Sequence, residues 1–147
     1  MYYLKNYPLS LIIILIICYL SFFTPPKTEL DEVANIDKLV HICMYGGLTM
    51  VIWFEYLKKH HQIIWKKLAT GGIIFPIAMS GCIEILQATC TTNRSGDWLD
   101  FLANSLGVGL ACLFSYYIIR PLAKKIFTIK KRNSENFPAP GVNEKRY

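Results

Sequence analysis

Three stretches of the sequence carry ionisable and amide side chains at intervals of three or four residues. They are Asp37, His41 and Tyr45; Glu84 and Gln87; and Asp97, Asp100 and Asn104. In an α-helix, residues three or four positions apart lie on the same face. Each stretch is therefore predicted to present its polar groups as one stripe along a helix.

These residue types suit acid and base chemistry or the binding of a polar ligand. Histidine titrates near neutral pH, so His41 could exchange a proton with a neighbouring carboxyl such as Glu84 or Asp100. Burial and like charges favour a proton on a carboxyl, whereas Lys38 and Arg94 favour its charged form. We take His41, Glu84 and Asp100 as candidate catalytic residues. The candidate ligand-binding positions are Asp37, Lys38, His41, Tyr45, Glu84, Gln87, Arg94, Asp97, Asp100 and Asn104.

The sequence specifies neither a metal nor a nucleophile. A hard cation on the carboxylates is an alternative, but no metal-ligand motif is present, so we predict no metal and no cofactor. The five cysteines show no redox or metal spacing and are interpreted as small apolar residues. Ser95 and Ser105 are the nearest hydroxyls, and neither lies in a recognisable nucleophile motif. Whether the protein is an enzyme therefore stays open.

A structural role is the competing interpretation of the polar residues. Interhelical hydrogen bonds among Asn104, Gln87, His41 and a carboxyl would hold a helix bundle together. Such groups need a reason in either case, because an ionisable side chain at the centre of a membrane span costs roughly 2.5 to 3.5 kcal/mol on insertion scales.

Charged residues nearer to water have simpler interpretations. Arg94 and Asp97 are expected to form a surface ion pair. Glu55 lies beside Lys58 and Lys59, and an interfacial salt bridge is predicted there.

Four apolar runs must position these residues: 7–23, 39–57, 68–88 and 98–119. The chain has 147 residues, of which 53% are hydrophobic and 18% charged, with a mean hydropathy of +0.32. A hydrocarbon core about 30 Å thick needs roughly 20 helical residues, so each run is long enough or nearly so. A soluble enzyme and a disordered chain are excluded, and a β-barrel is disfavoured because its strands would alternate. We predict an all-α integral membrane protein, a bundle of four transmembrane helices whose first span is not a cleaved signal peptide.

The basic residues predict the orientation. Most of the 16 Lys and Arg residues lie before the first run, between the second and third runs, or after the fourth. Basic connections stay in the cytoplasm, so both termini are predicted to be cytoplasmic. Residues 1–129 would form the membrane domain, and 130–147 a basic, disordered cytoplasmic tail. Nucleic-acid binding is disfavoured, because the charges flank spans without a base-stacking motif.

With this orientation, three spans place polar residues about one turn below the outer surface. Lipid would penalise each of them, so the stripes are predicted to face one another around a recess open to the cell exterior. Ala103, Gly107 and Ala111 form a ladder of small residues that permits close helix approach. Gly46, Gly47 and Gly81 could serve the same purpose.

The polar positions together resemble the signature of VanZ-like membrane proteins. The resemblance consists of Asp37-Lys38 with His41 and Tyr45, Glu84-x-x-Gln87, Arg94 with Asp97 and Asp100, and Asn104-x-x-Gly107. It covers residues 37–111, about half of the chain. The sequence departs from the pattern at Ala111, where a second glycine is common, and at Gly46 and Gly47, where bulkier residues are common.

The resemblance implies a multi-pass protein of the bacterial cytoplasmic membrane. The founding member is associated with low-level resistance to teicoplanin, a lipoglycopeptide that acts on cell-wall precursors outside the membrane. No established reaction comes with the family. The resemblance therefore implies a context in the cell envelope and in glycopeptide resistance, without a mechanism.

Three functional hypotheses follow. The leading one is that the outward recess binds a lipid head group, a lipid-linked cell-wall precursor or a lipoglycopeptide. The alternative is a membrane-embedded acid and base enzyme that modifies a lipid-linked envelope substrate, with Arg94 as an anion clamp. The third is a proton-coupled carrier or an accessory subunit, which with four spans would require a homodimer.

Overall fold

Every regular element that the computed structural model describes, over residues 2–23, 35–60, 63–90 and 97–136, is a helix. In chain order they are α1 (Tyr2–Asn6), α2 (Pro8–Phe22), α3 (Ile36–Lys59), α4 (Trp65–Cys90) and α5, which begins at Trp98 and ends at Asn136. By length and composition, α3, α4 and the segment Trp98–Ile126 of α5 can cross a membrane. The predicted all-helical architecture is confirmed for the described residues, with three helices long and apolar enough to span a membrane. The four-span bundle with cytoplasmic termini stays a prediction, because α2 has only 15 residues.

Two helices extend beyond the runs predicted from hydropathy. Helix α4 begins at Trp65, and α5 continues to Asn136, past position 130 where the sequence suggested a disordered tail. Lysine and arginine are good helix formers, so a run of basic residues ends an apolar segment without ending the helix that carries it. Residues 137–147 of the predicted tail lie outside the described residues.

Each of the long helices α4 and α5 contains a π-helical segment directly before a proline. The segments are Thr70–Ile74, ahead of Pro76, and Ser115–Ile119, ahead of Pro121. Proline lacks an N–H, and its ring clashes with the carbonyl four residues earlier. The wider π turn moves that carbonyl aside. The Gly72 carbonyl released in this way accepts a weak hydrogen bond from the Cys112 thiol at 3.9 Å.

Helices α3 and α5 form the most extensive packing pair. They touch backbone to backbone at Gly107, where a methyl group would lie 2.4 Å from the Ile42 carbonyl oxygen and 2.9 Å from its Cα. A methyl on Gly46 would lie 3.3 Å from the Gly107 oxygen. Ala103 and Ala111 are buried on the same face of α5. The predicted ladder of small residues therefore forms this interface.

The other two glycines singled out from the sequence contribute less to close packing. A methyl on Gly81 would make ordinary contact with Phe101, and nothing lies within 4 Å of the corresponding position at Gly47. Close approach of the backbones is thus confined to Gly46 and Gly107.

Helix α2 is held at both of its ends by polar side chains from its neighbours. Near its N-terminus, the Glu55 carboxylate of α3 accepts hydrogen bonds from the Leu9 N–H at 2.9 Å, the Ser10 N–H at 3.2 Å and the Ser10 hydroxyl. Glu55 is only 5% exposed. It was expected in an interfacial salt bridge, and instead it is a buried carboxylate at the positive end of a helix. At the other end, the Gln87 amide donates to the Ser21 carbonyl at 2.6 Å.

Candidate functional site

The candidate site lies at the end of the bundle where α3 and α5 begin and α4 ends. Lys38, in the first turn of α3, links three carboxylates. Its Nζ is 2.6 Å from Asp37, 3.0 Å from Asp97 and 2.8 Å from Asp100 Oδ1. Two of these carboxylates belong to the start of α5. The ammonium group therefore ties the beginning of α3 to the beginning of α5.

Asp97 caps α5 and connects it to α4. Its carboxylate accepts the Leu99 N–H at 2.9 Å, as an N-cap residue does. This bond, aided by the Lys38 ammonium, lowers the pKa of Asp97 below its ordinary value. The backbone N–H of Asp97 in turn donates to Glu84 Oε2 at 3.0 Å. Glu84 is thereby positioned on the unsatisfied donors of a helix N-terminus.

Three ionisable side chains from three helices converge directly below this layer. We call His41 of α3, Glu84 of α4 and Asp100 of α5 the triad; one nitrogen or oxygen atom from each lies within 4.8 Å of the others. His41 Nε2 is 3.5 Å from Asp100 Oδ2. The side chains of His41 and Asp100 are 12% and 18% exposed, and Glu84 is 8% exposed. The triad is therefore nearly enclosed but still reached from the bundle end.

A chain of polar groups fixes the orientation of the His41 ring. Its Nδ1 is 3.0 Å from Asn104 Oδ1, and the Asn104 amide nitrogen donates to Ser80 Oγ at 2.8 Å. Asn104 and Ser80 are fully enclosed. With this amide orientation, Nδ1 donates its proton to Asn104, and Nε2 is the ring nitrogen that faces Asp100.

The structure thus brings together Asp37, Lys38, His41, Glu84, Asp97, Asp100 and Asn104 from the set predicted on sequence. Two others lie beside this group. Gln87 is turned toward α2, and Tyr45, only 2% exposed, packs in the apolar core with Ile17 and Leu48 while its hydroxyl meets Ser80, which holds Asn104. Arg94, predicted as an anion clamp and as the partner of Asp97, lies outside the described residues.

Sequence reasoning missed Ser80, which supports Asn104, and Thr49, which is fully buried between helices. The four-residue spacing could have identified both residues. Ser80 precedes Glu84 by four residues, and Thr49 follows Tyr45 by four, so each continues a stripe that had already been identified. Serine and threonine are inconspicuous in apolar helices because they can bond to their own backbone.

The arrangement has two chemical capacities. The imidazole lone pair and the carboxylate oxygens could exchange protons with a ligand, or together hold a cation. Among the described residues, the carboxyls of Asp37, Asp97 and Asp100 contact the Lys38 ammonium, and Glu84 lies beside Asp97. This excess of carboxyls over cationic side chains favours positive ligands.

The family model described as VanZ/LLP1 matches residues 8–120, which include α2, all ten polar positions predicted on sequence and α5 as far as Arg120. No curated protein and no solved structure matches the chain.

Proposed function

Because the chain belongs to the VanZ/LLP1 family, we propose that it is a multi-pass protein of the bacterial cytoplasmic membrane whose triad faces the cell exterior. There it binds a polar group at the outer leaflet: a lipid head group, a lipid-linked cell-wall precursor or a lipoglycopeptide. The observation that carries the proposal is the convergence of His41, Glu84 and Asp100 from three apolar helices to within 4.8 Å.

The distribution of charged and aromatic residues supports the outward orientation. The end opposite the triad carries exposed Lys58, Lys59, Lys66 and Lys67, and such basic segments remain in the cytoplasm. Trp98 is 78% exposed at the triad end, and Trp65 is 54% exposed at the basic end. Tryptophan concentrates at both interfaces of a membrane.

Contacts along both ends of α2 support the four-helix arrangement. The N-terminal end of α2 is hydrogen-bonded to Glu55 of α3, and its C-terminal end to Gln87 of α4. Both bonds connect it to helices that are long enough to span a membrane. We therefore propose α2 as the fourth member of the bundle, with both chain termini in the cytoplasm.

A ligand-binding role accounts for the triad better than bundle stabilisation does. A polar network that serves only to join helices satisfies its donors and acceptors internally. Asn104, Ser80 and Lys38 meet that condition. In the triad, by contrast, the His41–Asp100 distance of 3.5 Å exceeds that of a charge-assisted hydrogen bond, about 2.7 to 2.9 Å.

The binding proposal is tested by identifying what is purified with the protein. The full chain is extracted from bacterial membranes in mild detergent, and its bound lipids are quantified by mass spectrometry. We expect one enriched envelope lipid or precursor, lost from His41→Ala, Glu84→Ala and Asp100→Ala and retained by His60→Ala at the opposite end. Equal retention by all three triad variants, at unchanged membrane abundance, rejects the proposal. Teicoplanin susceptibility of cells with each variant then tests the link to resistance.

Orientation has a separate test based on Cys90, which is exposed at the triad end of α4. The other four cysteines lie within helices. A membrane-impermeant maleimide applied to intact cells should label the wild type and fail to label Cys90→Ser. In the Cys90→Ser background, His60→Cys should be labelled only after the cells are opened. The reverse pattern would place the triad at the cytoplasmic face.

A second function, acid and base catalysis on a lipid-linked substrate, is favoured by the fixed orientation of the His41 ring between Asn104 and Asp100. An oriented imidazole beside a carboxylate is the usual arrangement for proton transfer. Lipid mass spectrometry of cells with and without the protein separates the two functions. A new covalent species supports catalysis, and an unchanged lipid population supports binding alone.

A further inference from the structure

We infer that the triad is a binding site for a divalent transition-metal ion, ligated by His41 Nε2, a Glu84 oxygen and Asp100 Oδ2. This inference rests on the site of the proposed function but not on the identity of the ligand bound there. Three observations carry it: the spacing of the donor atoms, an oxygen of Glu84 without a donor, and the polar groups that hold the histidine.

The spacing between His41 and Asp100 fits two ligands of one metal ion. Ligands about 2.1 Å from a tetrahedral ion are about 3.4 Å from one another. His41 Nε2 and Asp100 Oδ2 are 3.5 Å apart, and the atoms of all three residues lie within 4.8 Å. Glu84 is therefore near enough to complete a three-ligand site.

Glu84 supplies the second observation. The residue is 8% exposed, and its Oε2 accepts the Asp97 N–H. Among the described residues, no hydrogen-bond donor contacts Oε1. A carboxylate on a residue this enclosed is costly unless a cation, a proton or water satisfies its second oxygen. One Glu84 oxygen lies within 4.8 Å of donor atoms of His41 and Asp100, where a shared cation would satisfy it.

The two oxygens of Asp100 are divided between two roles. Oδ1 is 2.8 Å from the Lys38 ammonium, whereas Oδ2 faces His41. Lys38 is also held by Asp37 and Asp97, so its ammonium group is shared among three carboxylates. The oxygen required for ligation is therefore not the one occupied by the lysine.

The support of His41 is typical of a metal-binding histidine. Such a ring donates its second N–H to an oxygen, which fixes the tautomer and aims the other nitrogen at the metal. Here Asn104 Oδ1 takes that role 3.0 Å from Nδ1, and Ser80 in turn holds the Asn104 amide. The lone pair of Nε2 is thereby directed at the space between the two carboxylates.

The donor set also indicates the kind of ion. One imidazole and two carboxylates suit Zn²⁺ or Mn²⁺, and three protein ligands leave coordination positions for an oxygen of an incoming ligand. A divalent ion would offset most of the negative charge of the site. The same site could then accept an anionic head group, such as a phosphate, which the carboxylates alone would repel.

The test measures metal binding by the purified full chain in detergent, after chelation and in the absence of added lipid. Mn²⁺ is the first probe, because it prefers carboxylate and imidazole ligands to the thiols of the five cysteines. Electron paramagnetic resonance reports free Mn²⁺, whose signal disappears on binding. We expect one Mn²⁺ per chain, displaced by Zn²⁺ because zinc binds such sites more tightly.

Variants distinguish this site from adventitious binding. Glu84→Gln, Asp100→Asn and His41→Gln should abolish stoichiometric binding, and Asn104→Leu should weaken it about 10- to 100-fold through loss of the ring support. The matched control is His60→Gln, which removes an imidazole at the opposite end of the bundle and should bind as the wild type does. Tryptophan fluorescence reports whether each variant is folded. If Glu84→Gln does not fold, Asp100→Asn, at a more exposed side chain, provides the test in its place.

Two results would overturn the inference: wild-type binding no tighter than that of the triad variants, or full binding retained by all three. The lipid measurement is made on the same protein preparation before the metal is removed by chelation. An enriched lipid without metal binding rejects the metal site and leaves the proposed function standing. Metal binding without an enriched lipid supports the metal site and rejects the proposed function.

Discussion

Replacing Gly107 with alanine should force the α3 and α5 backbones apart. The added methyl would lie 2.4 Å from the Ile42 carbonyl oxygen and 2.9 Å from its Cα. Both contacts are with backbone, so no side-chain rotation relieves them. Restoring a separation of about 3.2 Å requires the helices to move apart by roughly 0.8 Å, enough to forfeit a quarter to a half of the attraction at each contact.

The expected cost follows from two opposing effects. Overpacking of this kind destabilises proteins by about 1 to 3 kcal/mol, and the favourable helix propensity of alanine offsets at most about 1 kcal/mol. We expect Gly107→Ala to lose about 2 kcal/mol of unfolding free energy. His41 precedes Ile42, so the same displacement should stretch its 3.0 Å contact with Asn104 beyond hydrogen-bonding distance. Mn²⁺ affinity should fall together with stability.

The measurement is unfolding in mixed micelles by titration with a denaturing detergent, followed by tryptophan fluorescence. Gly109→Ala is the matched control, because it lies on the same helix with nothing within 4 Å of the added methyl. It should be neutral or stabilising by up to about 1 kcal/mol. Equal stability of the two variants would show that the backbones do not touch at Gly107, and the reasoning about how the triad is positioned would fail with it.

Three further predictions concern the polar groups that hold the helices. Glu55→Ala leaves one buried and one partly buried N–H group of α2 without an acceptor and should cost about 2 to 5 kcal/mol in the same titration. Ser10→Ala removes only the hydroxyl bond and should cost about 1 kcal/mol. Equal costs would contradict the capping role. Ser80→Ala removes the acceptor of the Asn104 amide and should lower the free energy of unfolding by about 1 to 3 kcal/mol. An unchanged titration midpoint would contradict the hydrogen bond between Asn104 and Ser80. The lowered pKa of Asp97 means that its stabilisation is present above the ordinary pKa of 3.8 and is lost as pH falls through the lower folded value. Melting temperatures should therefore drop below about pH 4 in the wild type and less steeply in Asp97→Asn, and parallel curves would refute the assignment.

Periodicity made most of the site predictable from the sequence. Stripes on three apolar helices have to face each other, because lipid penalises polar groups, and His41, Glu84, Asp100 and Asn104 do meet. The role of Gly107 was predictable for a similar reason, since small residues at four-residue steps mark close helix contact.

Other contacts could not be predicted, because they depend on which helix lies beside which. Glu55 had two neighbouring lysines in the sequence, and nothing there indicated that the first helix would begin against it. Gln87 shares a face with Glu84 in spacing, yet one turn of difference points it at Ser21 of α2. The convergence of three carboxylates on Lys38 likewise depends on the relative height of α3 and α5.

The carboxylate of Glu55 has a consequence for the surrounding lipid. Helix α2 has 15 residues and is about 22 Å long, some 8 Å shorter than a typical hydrocarbon core. A helix normally has to begin in water, where its first N–H groups are solvated. Since Glu55 supplies those acceptors from within the protein, α2 can start below the interface. A bilayer on that flank therefore need not thin to reach the helix end, and acyl chains there should be as ordered as those beside α4 and α5.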